Sequence, residues 1–292
     1  MRTTPNNLAG AGRFRRALLC GLLVVSLLAG CSHRADDGSV GVGAKPDPES
    51  VLLANLYAAA LRYYGTPAHV VELDDPLAGL DSGAVTVVPG YTGRLLRTFA
   101  PDIRATGDEQ VYKSMVGVLP EGVSAGDYAT AAEDKPAAAI TEATATRWDG
   151  RDLATLVEHC AQLRPGALRG VATPPAVGTC DMPRPREFDD DAALFAALRD
   201  DRVNVAWTTT ADPDVPSDAV VLTDRKPTSI RGQNVVPLYR RNELTARQVL
   251  AINEVAGVLD TAALKQMRQR VAEGADPRVV ADQWLAENPL GR

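Results

Sequence analysis

The chain has 292 residues, of which 45% are hydrophobic, and a formal net charge of −6 at pH 7. This length is enough for two compact lobes or for one large domain. The negative charge argues against a nucleic-acid partner, because nucleic-acid binding depends on clustered lysine and arginine side chains.

Residues 1–31 have the pattern of a secretory signal that ends in a lipobox. Three arginines between positions 13 and 16 precede the apolar run ALLCGLLVVSLLAG, and Cys31 follows it. The run is shorter than the ~20 apolar residues that a spanning helix needs, and small residues precede the cysteine, as signal cleavage requires. We therefore expect Cys31 to be the lipidated first residue of the mature chain and residues 32–38 to be a flexible tether. An N-terminal transmembrane anchor is the alternative.

In the mature chain, Cys160 and Cys180 are the two cysteines that can pair with each other. Export places them where disulfides persist, and a bridge would stabilise the fold by roughly 3 kcal/mol in the loop-entropy model. Two separate buried thiols are the alternative. We expect no metal site and no cofactor, because the chain has only 3 histidines and only His159 lies near either of these two cysteines, adjacent to one of them rather than at ligand spacing.

The first part of the chain alternates strand and helix patterns. The segment SVGVGA predicts a strand, and Asp47 followed by Pro48 predicts the start of a helix, with apolar residues at helical spacing from 52 to 64. The segments HVVEL and AVTVV predict two further strands, and the second runs into the turn PGYTG. A helix is expected over 108–119.

The rest of the chain continues this alternation. The predicted strands are GDYATAAE, ALRGVAT, VNVAWTTT, AVVLTD and NVVPLYRR, and the predicted helices among them are RDLATLVEHCAQL and DDDAALFAALRDD. Three helices close the chain, with Thr245, Asp260 and Asp276 as their caps. Alternation of this kind is typical of an α/β architecture with mainly parallel sheets.

Three segments carry a resemblance to a known family. They are VGVGAKPDPESVLLANLYAAALRYYG, LAGLDSGAVTVVPGYTG and the C-terminal block that begins VVPLYRRNELTARQVLAINEVAG. Together they resemble the substrate-binding proteins of glycine betaine, choline and carnitine ABC importers, the ProX/OpuAC-like family. The first is similar to the family's opening strand, Gly-Ser-Lys turn and first helix, and the second to the stretch that leads into Glu-Tyr-Thr-Gly. The resemblance covers most of residues 40–290, with a poor match over 130–200.

The resemblance implies a two-lobed clamshell of the type II periplasmic-binding-protein class, each lobe a mainly parallel sheet flanked by helices. We place lobe one at 39–119 plus 215–292 and lobe two at 120–214, with the ligand in the cleft between them. Open α/β sheets bind ligands beyond the carboxyl ends of their strands, which agrees with this placement. The implied partners are a small solute and the membrane permease of an ABC importer, and we expect a monomer.

The resemblance also implies an aromatic cage in the cleft. A quaternary ammonium forms no ordinary hydrogen bonds, so its receptor offers aromatic faces, each worth about 0.5 to 2 kcal/mol. Tyr91 stands at the tyrosine of the family's Glu-Tyr-Thr-Gly motif. Tyr128, with Asp127 beside it, falls near a second cage tyrosine, and Trp207 falls near a third position. Packing in a core is the alternative for each of these rings.

The anionic end of a betaine needs hydrogen-bond donors. Lys45 matches the lysine of the family's Gly-Ser-Lys turn, and Thr92 supplies a hydroxyl beside the cage tyrosine. A plain surface position is the alternative for Lys45.

Three positions depart from the family pattern. Gly90 replaces the glutamate before the tyrosine, Arg94 stands where threonine is frequent, and Gln233 stands where a further cage tyrosine is expected. Arg94 can clamp a carboxylate with two hydrogen bonds or fill part of the cleft. These departures favour a more polar or differently shaped solute than betaine or choline.

The sequence contains no P-loop, H-E-x-x-H or dinucleotide fingerprint, so we do not expect an enzyme. The functional hypothesis is a lipid-anchored receptor on the extracytoplasmic face of the cell membrane, which binds a quaternary ammonium or another zwitterionic compatible solute for an ABC importer. The alternative is a clamshell-derived lipoprotein of the cell envelope that has an interaction or scaffold role and no transported ligand. The missing glutamate and tyrosine motivate this alternative.

Overall fold

The computed structural model describes residues 38–291, so the expected signal segment, Cys31 and the tether up to residue 37 lie outside the described residues. Within the described part, the strands form two five-stranded sheets and one two-stranded hairpin. No helix in this part of the chain is long and apolar enough to cross a membrane.

The first sheet, with the helices packed on it, forms lobe one. Its strands are β1 (Val40–Ala44), β2 (Ala68–Glu72), β3 (Val87–Tyr91), β4 (Val123–Ala125) and β12 (Val235–Arg240). They lie in the order β2-β1-β3-β12-β4, and β12 runs antiparallel to both of its neighbours. The helices of this lobe are α1 (Pro48–Tyr63), α2 (Pro76–Ser82), α3 (Thr92–Phe99), α4 (Asp108–Val116), α8 (Ala246–Val258), α9 (Thr261–Ala272) and α10 (Pro277–Glu287).

The second sheet forms lobe two. Its strands are β5 (Pro136–Thr141), β6 (Pro165–Leu168), β9 (Arg186–Phe188), β10 (Val205–Thr209) and β11 (Ala219–Val221). They lie in the order β11-β5-β10-β6-β9, and β5 runs antiparallel to both of its neighbours. The hairpin strands are β7 (Ala176–Val177) and β8 (Cys180–Asp181), and the helices are α5 (Glu142–Trp148), α6 (Leu153–Glu158) and α7 (Asp191–Arg199).

Four strands of each sheet share one direction, and the fifth is reversed. The reversed strands, β5 and β12, are the first that the chain forms after it passes from one lobe to the other. Two neighbouring parallel strands need a crossover connection between them, usually a helix. β5 and β12 are reached from the other lobe and not through such a crossover, so they can run antiparallel to their neighbours. The α/β clamshell class is confirmed, and each sheet is mixed rather than wholly parallel.

The two passages between the lobes differ from those expected at 119/120 and 214/215. The chain leaves lobe one after β4 and returns after β11, because Ala125 pairs with Leu238 of β12 and Val220 pairs with Ile140 of β5. The expected boundaries put both short strands in the wrong lobe. A three-residue strand is too short for a periodic pattern that would assign it to a sheet.

The capping predictions are confirmed. The Asp47 carboxylate accepts the N–H of Ser50 at 2.9 Å, and the side chains of Thr245, Asp260 and Asp276 accept N–H groups of the first turns of α8, α9 and α10. These bonds satisfy donors that have no partner inside the helix.

The predicted strand GDYATAAE is wrong, because residues 126–132 form an irregular segment after β4. Gly126 donates its N–H to the carbonyl of Pro237 at 2.8 Å. Pro237 has no N–H that could donate a hydrogen bond back, so the ladder between β4 and β12 ends there.

Cys160 and Cys180 are joined by a disulfide with a Cα–Cα distance of 5.7 Å. The bridge ties the turn after α6 to the hairpin strand β8, beside a core that includes Leu156 and Val177. It therefore fastens the β7–β8 hairpin, which pairs with neither five-stranded sheet, to the rest of lobe two.

Candidate functional site

A cavity of about 410 Å³ lies between the two lobes. Lobe two contributes the end of β10, the loop after it and the start of α7, while lobe one contributes the start of α1 and the end of α9. Five carboxylates and one guanidinium line this inter-lobe cavity. The charged lining residues are Asp47, Glu49, Asp191, Asp212, Asp214 and Arg268.

Three of these carboxylates converge on the lobe-two side. One oxygen each of Asp191, Asp212 and Asp214 lies within 4.8 Å of the others. Burial, followed by the charges of Asp212, Asp214 and Asp190, raises the pKa of Asp191 to about 6. The Oδ1 atom of Asp191 is buried without a hydrogen-bond partner, as is the hydroxyl of Thr209. This excess of negative charge suits a ligand with a cationic group.

A second cavity, of about 520 Å³, lies in lobe one beyond the carboxyl ends of β1 and β3. Lys45, Tyr91 and Arg94, three of the residues predicted for the site, line this lobe-one cavity. Glu49 lines both cavities, so the two adjoin at its side chain. A position beyond the ends of parallel strands is where open α/β sheets bind ligands.

Tyr91 lies at the end of β3, with its side chain directed into lobe one. The residue is 3% exposed, and its hydroxyl donates to Glu49 Oε1 at 2.6 Å. Burial, reinforced by the charges of Glu49 and Asp134, raises the pKa of Tyr91 well above its usual value. The Arg94 guanidinium lies 4.6 Å from the ring centroid. The ring face predicted for a ligand is therefore covered by a side chain of the protein.

A network of two arginines and two carboxylates surrounds this ring. Arg94 contacts Glu49 Oε2 at 3.5 Å and Asp134 Oδ2 at 3.3 Å. Arg268 contacts Asp134 Oδ1 at 3.1 Å and Glu49 Oε1 at 3.7 Å. The Asp134 side chain is 1% exposed, so its charge depends on these partners.

Sequence reasoning missed Glu49, Asp134 and Arg268. In the sequence, Glu49 has the pattern of an acidic residue that stabilises the first turn of a helix, and Arg268 has that of a polar residue on the exposed face of an amphipathic helix. Asp134 stands among charged neighbours in the passage between lobes. No local pattern separates these three from solvated surface charges.

Thr92 and Gln233 hold the turn after β3 against the segment that returns from lobe two. The Thr92 hydroxyl is fully buried, accepts the N–H of Asn234 at 3.1 Å and donates to the carbonyl of Gly232 at 3.5 Å. The Gln233 side-chain oxygen accepts the N–H of Arg94 at 2.9 Å. Both residues thus adjoin the site through the backbone and do not line either cavity.

The remaining predicted residues do not line the lobe-one cavity. Trp207 is largely buried in the core of lobe two and also lines the inter-lobe cavity. Tyr128 packs against Tyr112, with ring centroids 4.5 Å apart, and lines a different cavity near the start of α4. Asp127 is exposed, and its backbone N–H donates to Asn253. Tyr91, Tyr128 and Trp207 thus line three different cavities, and Tyr128 belongs to lobe one because residues 126–132 follow that lobe and do not form a strand of lobe two.

Two α/β lobes that are connected twice by the chain, with a charged cavity between them, define the architecture of a periplasmic binding protein. The chain belongs to the family of substrate binding domains of ABC-type glycine betaine transport systems, which it matches over residues 38–287. This match confirms the resemblance carried by the sequence. The chain is the solute-binding component of an ABC importer, and its family is one of binding proteins and not of enzymes.

Solved structures share the fold. A protein described as a glycine betaine/carnitine/choline ABC transporter has 17% sequence identity and a TM-score of 0.70, with 85% of this chain and 98% of that chain covered. Apo YehZ from Escherichia coli has 20% identity and a TM-score of 0.67, with the same coverage of 85% and 98%. The choline binding protein of an ABC transporter, in complex with choline, has 15% identity and a TM-score of 0.54, with 87% and 90% covered. No curated protein matches the chain by sequence.

Proposed function

We propose that this protein is a lipid-anchored receptor on the extracytoplasmic face of the membrane, which binds a small cationic or zwitterionic compatible solute of the glycine betaine, choline and carnitine class. It delivers the solute to the permease subunits of an ABC importer and acts as a monomer. The observation that carries the choice of solute is the inter-lobe cavity, where five carboxylates face one guanidinium.

The chemistry of this cavity favours an organic cation. Asp191, Asp212 and Asp214 supply concentrated negative charge, and Trp207, which is 3% exposed, borders the same cavity. A quaternary ammonium is attracted to nearby carboxylates. Arg268, on the opposite lobe, can pair with the carboxylate of a zwitterion.

The position of the cavity supports a receptor that closes on its ligand. Glu49 and Arg268 approach from lobe one, whereas Asp191 and Asp212 approach from lobe two. A solute that contacts both sets stabilises the closed arrangement relative to the open one, and this differential affinity shifts the population.

Two features support an exported, anchored protein. The run before Cys31 ends in LLAGC, as a lipobox does. The disulfide between Cys160 and Cys180 fits an oxidising compartment. Replacing Cys31 with serine should abolish the incorporation of labelled fatty acid into the protein, and undiminished labelling would contradict lipid anchoring through this residue.

A thermal-shift panel tests the solute class. The panel contains glycine betaine, choline, carnitine, proline-betaine, ectoine and amino acids. A solute at 100 times its dissociation constant stabilises the folded state by ~2.7 kcal/mol, which is a readily measured rise in Tm. The variant Asp212→Asn removes one carboxylate of the cavity and keeps the side-chain shape. A solute whose cationic group binds there should raise the Tm of this variant less than the Tm of the wild type.

The scaffold alternative makes the opposite prediction. It is favoured by one observation, the Arg94 guanidinium on the ring face of Tyr91, which removes one surface that a solute would use. If no member of the panel raises Tm, and if no permease and ATPase genes adjoin this one, the scaffold function is preferred.

A further inference from the structure

We propose that Arg94 decides which solutes the lobe-one cavity admits. Its guanidinium acts as a built-in cation, which occupies the ring face of Tyr91 and the two carboxylates around it, and thereby excludes a quaternary ammonium from this cavity. The inference rests on the proposed function, because it concerns the selectivity of a solute receptor.

The first support is the geometry of the ring. Tyr91 is only 3% exposed, so the protein leaves almost no free ring surface for a ligand. The guanidinium of Arg94, 4.6 Å from the centroid, lies within the distance at which a ligand cation would be bound. The hydrogen bond from the Tyr91 hydroxyl to Glu49 fixes the ring in this orientation.

The second support is the charge around the ring. Glu49 and Asp134 contact Arg94 at 3.5 and 3.3 Å, and an aromatic face between carboxylates is a site for an organic cation. Arg94 supplies that cation from within the chain. A quaternary ammonium would have to displace the guanidinium and break both ion pairs.

The third support is that the backbone of Arg94 is held in place. Its N–H donates to the side-chain oxygen of Gln233. A Cβ at Gly93 would lie 2.4 Å from the carbonyl oxygen of Gly232, so the start of α3 approaches the returning segment as closely as a glycine permits. Arg94 and Gln233, two of the positions that depart from the family pattern, therefore act together: one carries the cation and the other holds its backbone.

The consequence concerns where the solute's charge can lie. With the lobe-one cation site filled, the cationic group of a solute is directed to Asp191, Asp212 and Asp214 in the inter-lobe cavity. The lobe-one cavity is lined by Lys45 and Arg94 together with Glu49, Asp74 and Asp75, so it keeps charges of both signs once its ring face is filled.

The test is isothermal titration calorimetry with choline and with glycine betaine on the purified protein. Arg94→Ala uncovers the ring of Tyr91 and leaves Glu49 and Asp134 paired with Arg268. We expect its affinity for choline to exceed that of the wild type by about ten-fold, as one cation–π contact allows. Arg97→Ala is the matched control, because Arg97 is exposed on the same helix and its removal changes the net charge equally.

The double variant with Arg94→Ala and Tyr91→Leu separates the ring from the charge. If the double variant loses the higher choline affinity of Arg94→Ala, choline binds on the ring face of Tyr91. Equal choline affinities for the wild type, Arg94→Ala and Arg97→Ala would overturn the proposal, whether or not the wild type binds a solute of the panel. Failure of the proposed function has a different signature, in which the wild type binds no panel solute.

A second variant covers the case in which Arg94→Ala does not fold. Arg94→Gln shortens the side chain and removes its charge, so no cation from this residue lies on the ring of Tyr91. We expect this variant to keep the Tm of the wild type within a few degrees, because the Arg94 side chain is 46% exposed, and to gain about ten-fold in choline affinity. A folded Arg94→Gln variant without any gain would count against the proposal.

Discussion

Lowering the pH from 7 to 5 is expected to weaken the binding of choline in the inter-lobe cavity by about ten-fold, because it neutralises Asp191. Burial and the neighbouring charges of Asp212, Asp214 and Asp190 raise the pKa of this carboxyl to about 6. At that pKa, about nine-tenths of the molecules carry the charge at pH 7 and about one-tenth at pH 5. If only the ionised form binds the cation, the apparent affinity follows this fraction.

The unliganded protein should respond in the opposite direction. The pKa of Asp191 is higher in the folded state than in the unfolded state, so the protonated carboxyl favours folding. This contribution is fully present below the unfolded pKa and is lost as the pH rises through about 6. A bound cation removes the disadvantage of the charged form, so the rise in Tm produced by choline should increase between pH 5 and pH 7.

Calorimetry at constant ionic strength, at pH 5, 6 and 7, measures this effect. Binding near pH 6 should also release a proton, which is detected by repeating the titration in buffers with different ionisation enthalpies. Asp191→Asn is the control and should give an affinity that changes little over the same range. A flat profile in the wild type, or an equal slope in Asp191→Asn, would refute the assignment of this carboxyl to the cation site.

Substitutions at three further positions test the buried charge, the disulfide and the aromatic face. Asp134→Asn should lower the free energy of unfolding in urea by ~3 kcal/mol, because Arg268 loses a partner that is 1% exposed; an unchanged midpoint would mean that the network contributes nothing to stability. Cys160→Ser should cost roughly 3 kcal/mol in the same assay, because the bridge to Cys180 closes a sequence separation of 20 residues, and the reduced wild type should behave alike. Trp207→Leu should lower the free energy of unfolding by ~2 kcal/mol and change choline affinity by less than about two-fold, because the ring is 3% exposed in the core of lobe two; a ten-fold loss of affinity in the folded variant would show that the ring contacts the solute.

Much of the fold could be predicted from local patterns. Asp47, Thr245, Asp260 and Asp276 cap helices where the sequence indicated, because a cap is set by a few neighbouring residues. The predicted boundaries between the lobes were wrong, because β4 and β11 are strands of three residues. Their partners, β12 and β5, are antiparallel to them and far away along the chain, so no local pattern reveals the pairing.

The candidate site, like the fold, was predicted from the sequence only in part. The motif PGYTG was sufficient to place Tyr91 at the end of a strand in lobe one and Arg94 just after it, at the start of a helix, beside a ligand-sized cavity. The sequence did not predict that Arg94 covers the ring. That contact depends on Glu49 and Asp134, which approach from a helix start and from the passage between lobes.

By itself, the sequence determined the family, the α/β class, the export pattern and the turn that carries Tyr91, since each of these resides in short stretches of neighbouring residues. Only the tertiary structure decided where negative charge accumulates. Asp191, Asp212 and Asp214 converge because the start of α7 and the loop after β10 meet at one edge of the second sheet. Convergence of this kind depends on strand order, and no local pattern encodes it. The ring face of Tyr91 follows the same rule. The sequence predicted that this face binds a ligand, but in the folded chain the guanidinium of Arg94 covers it.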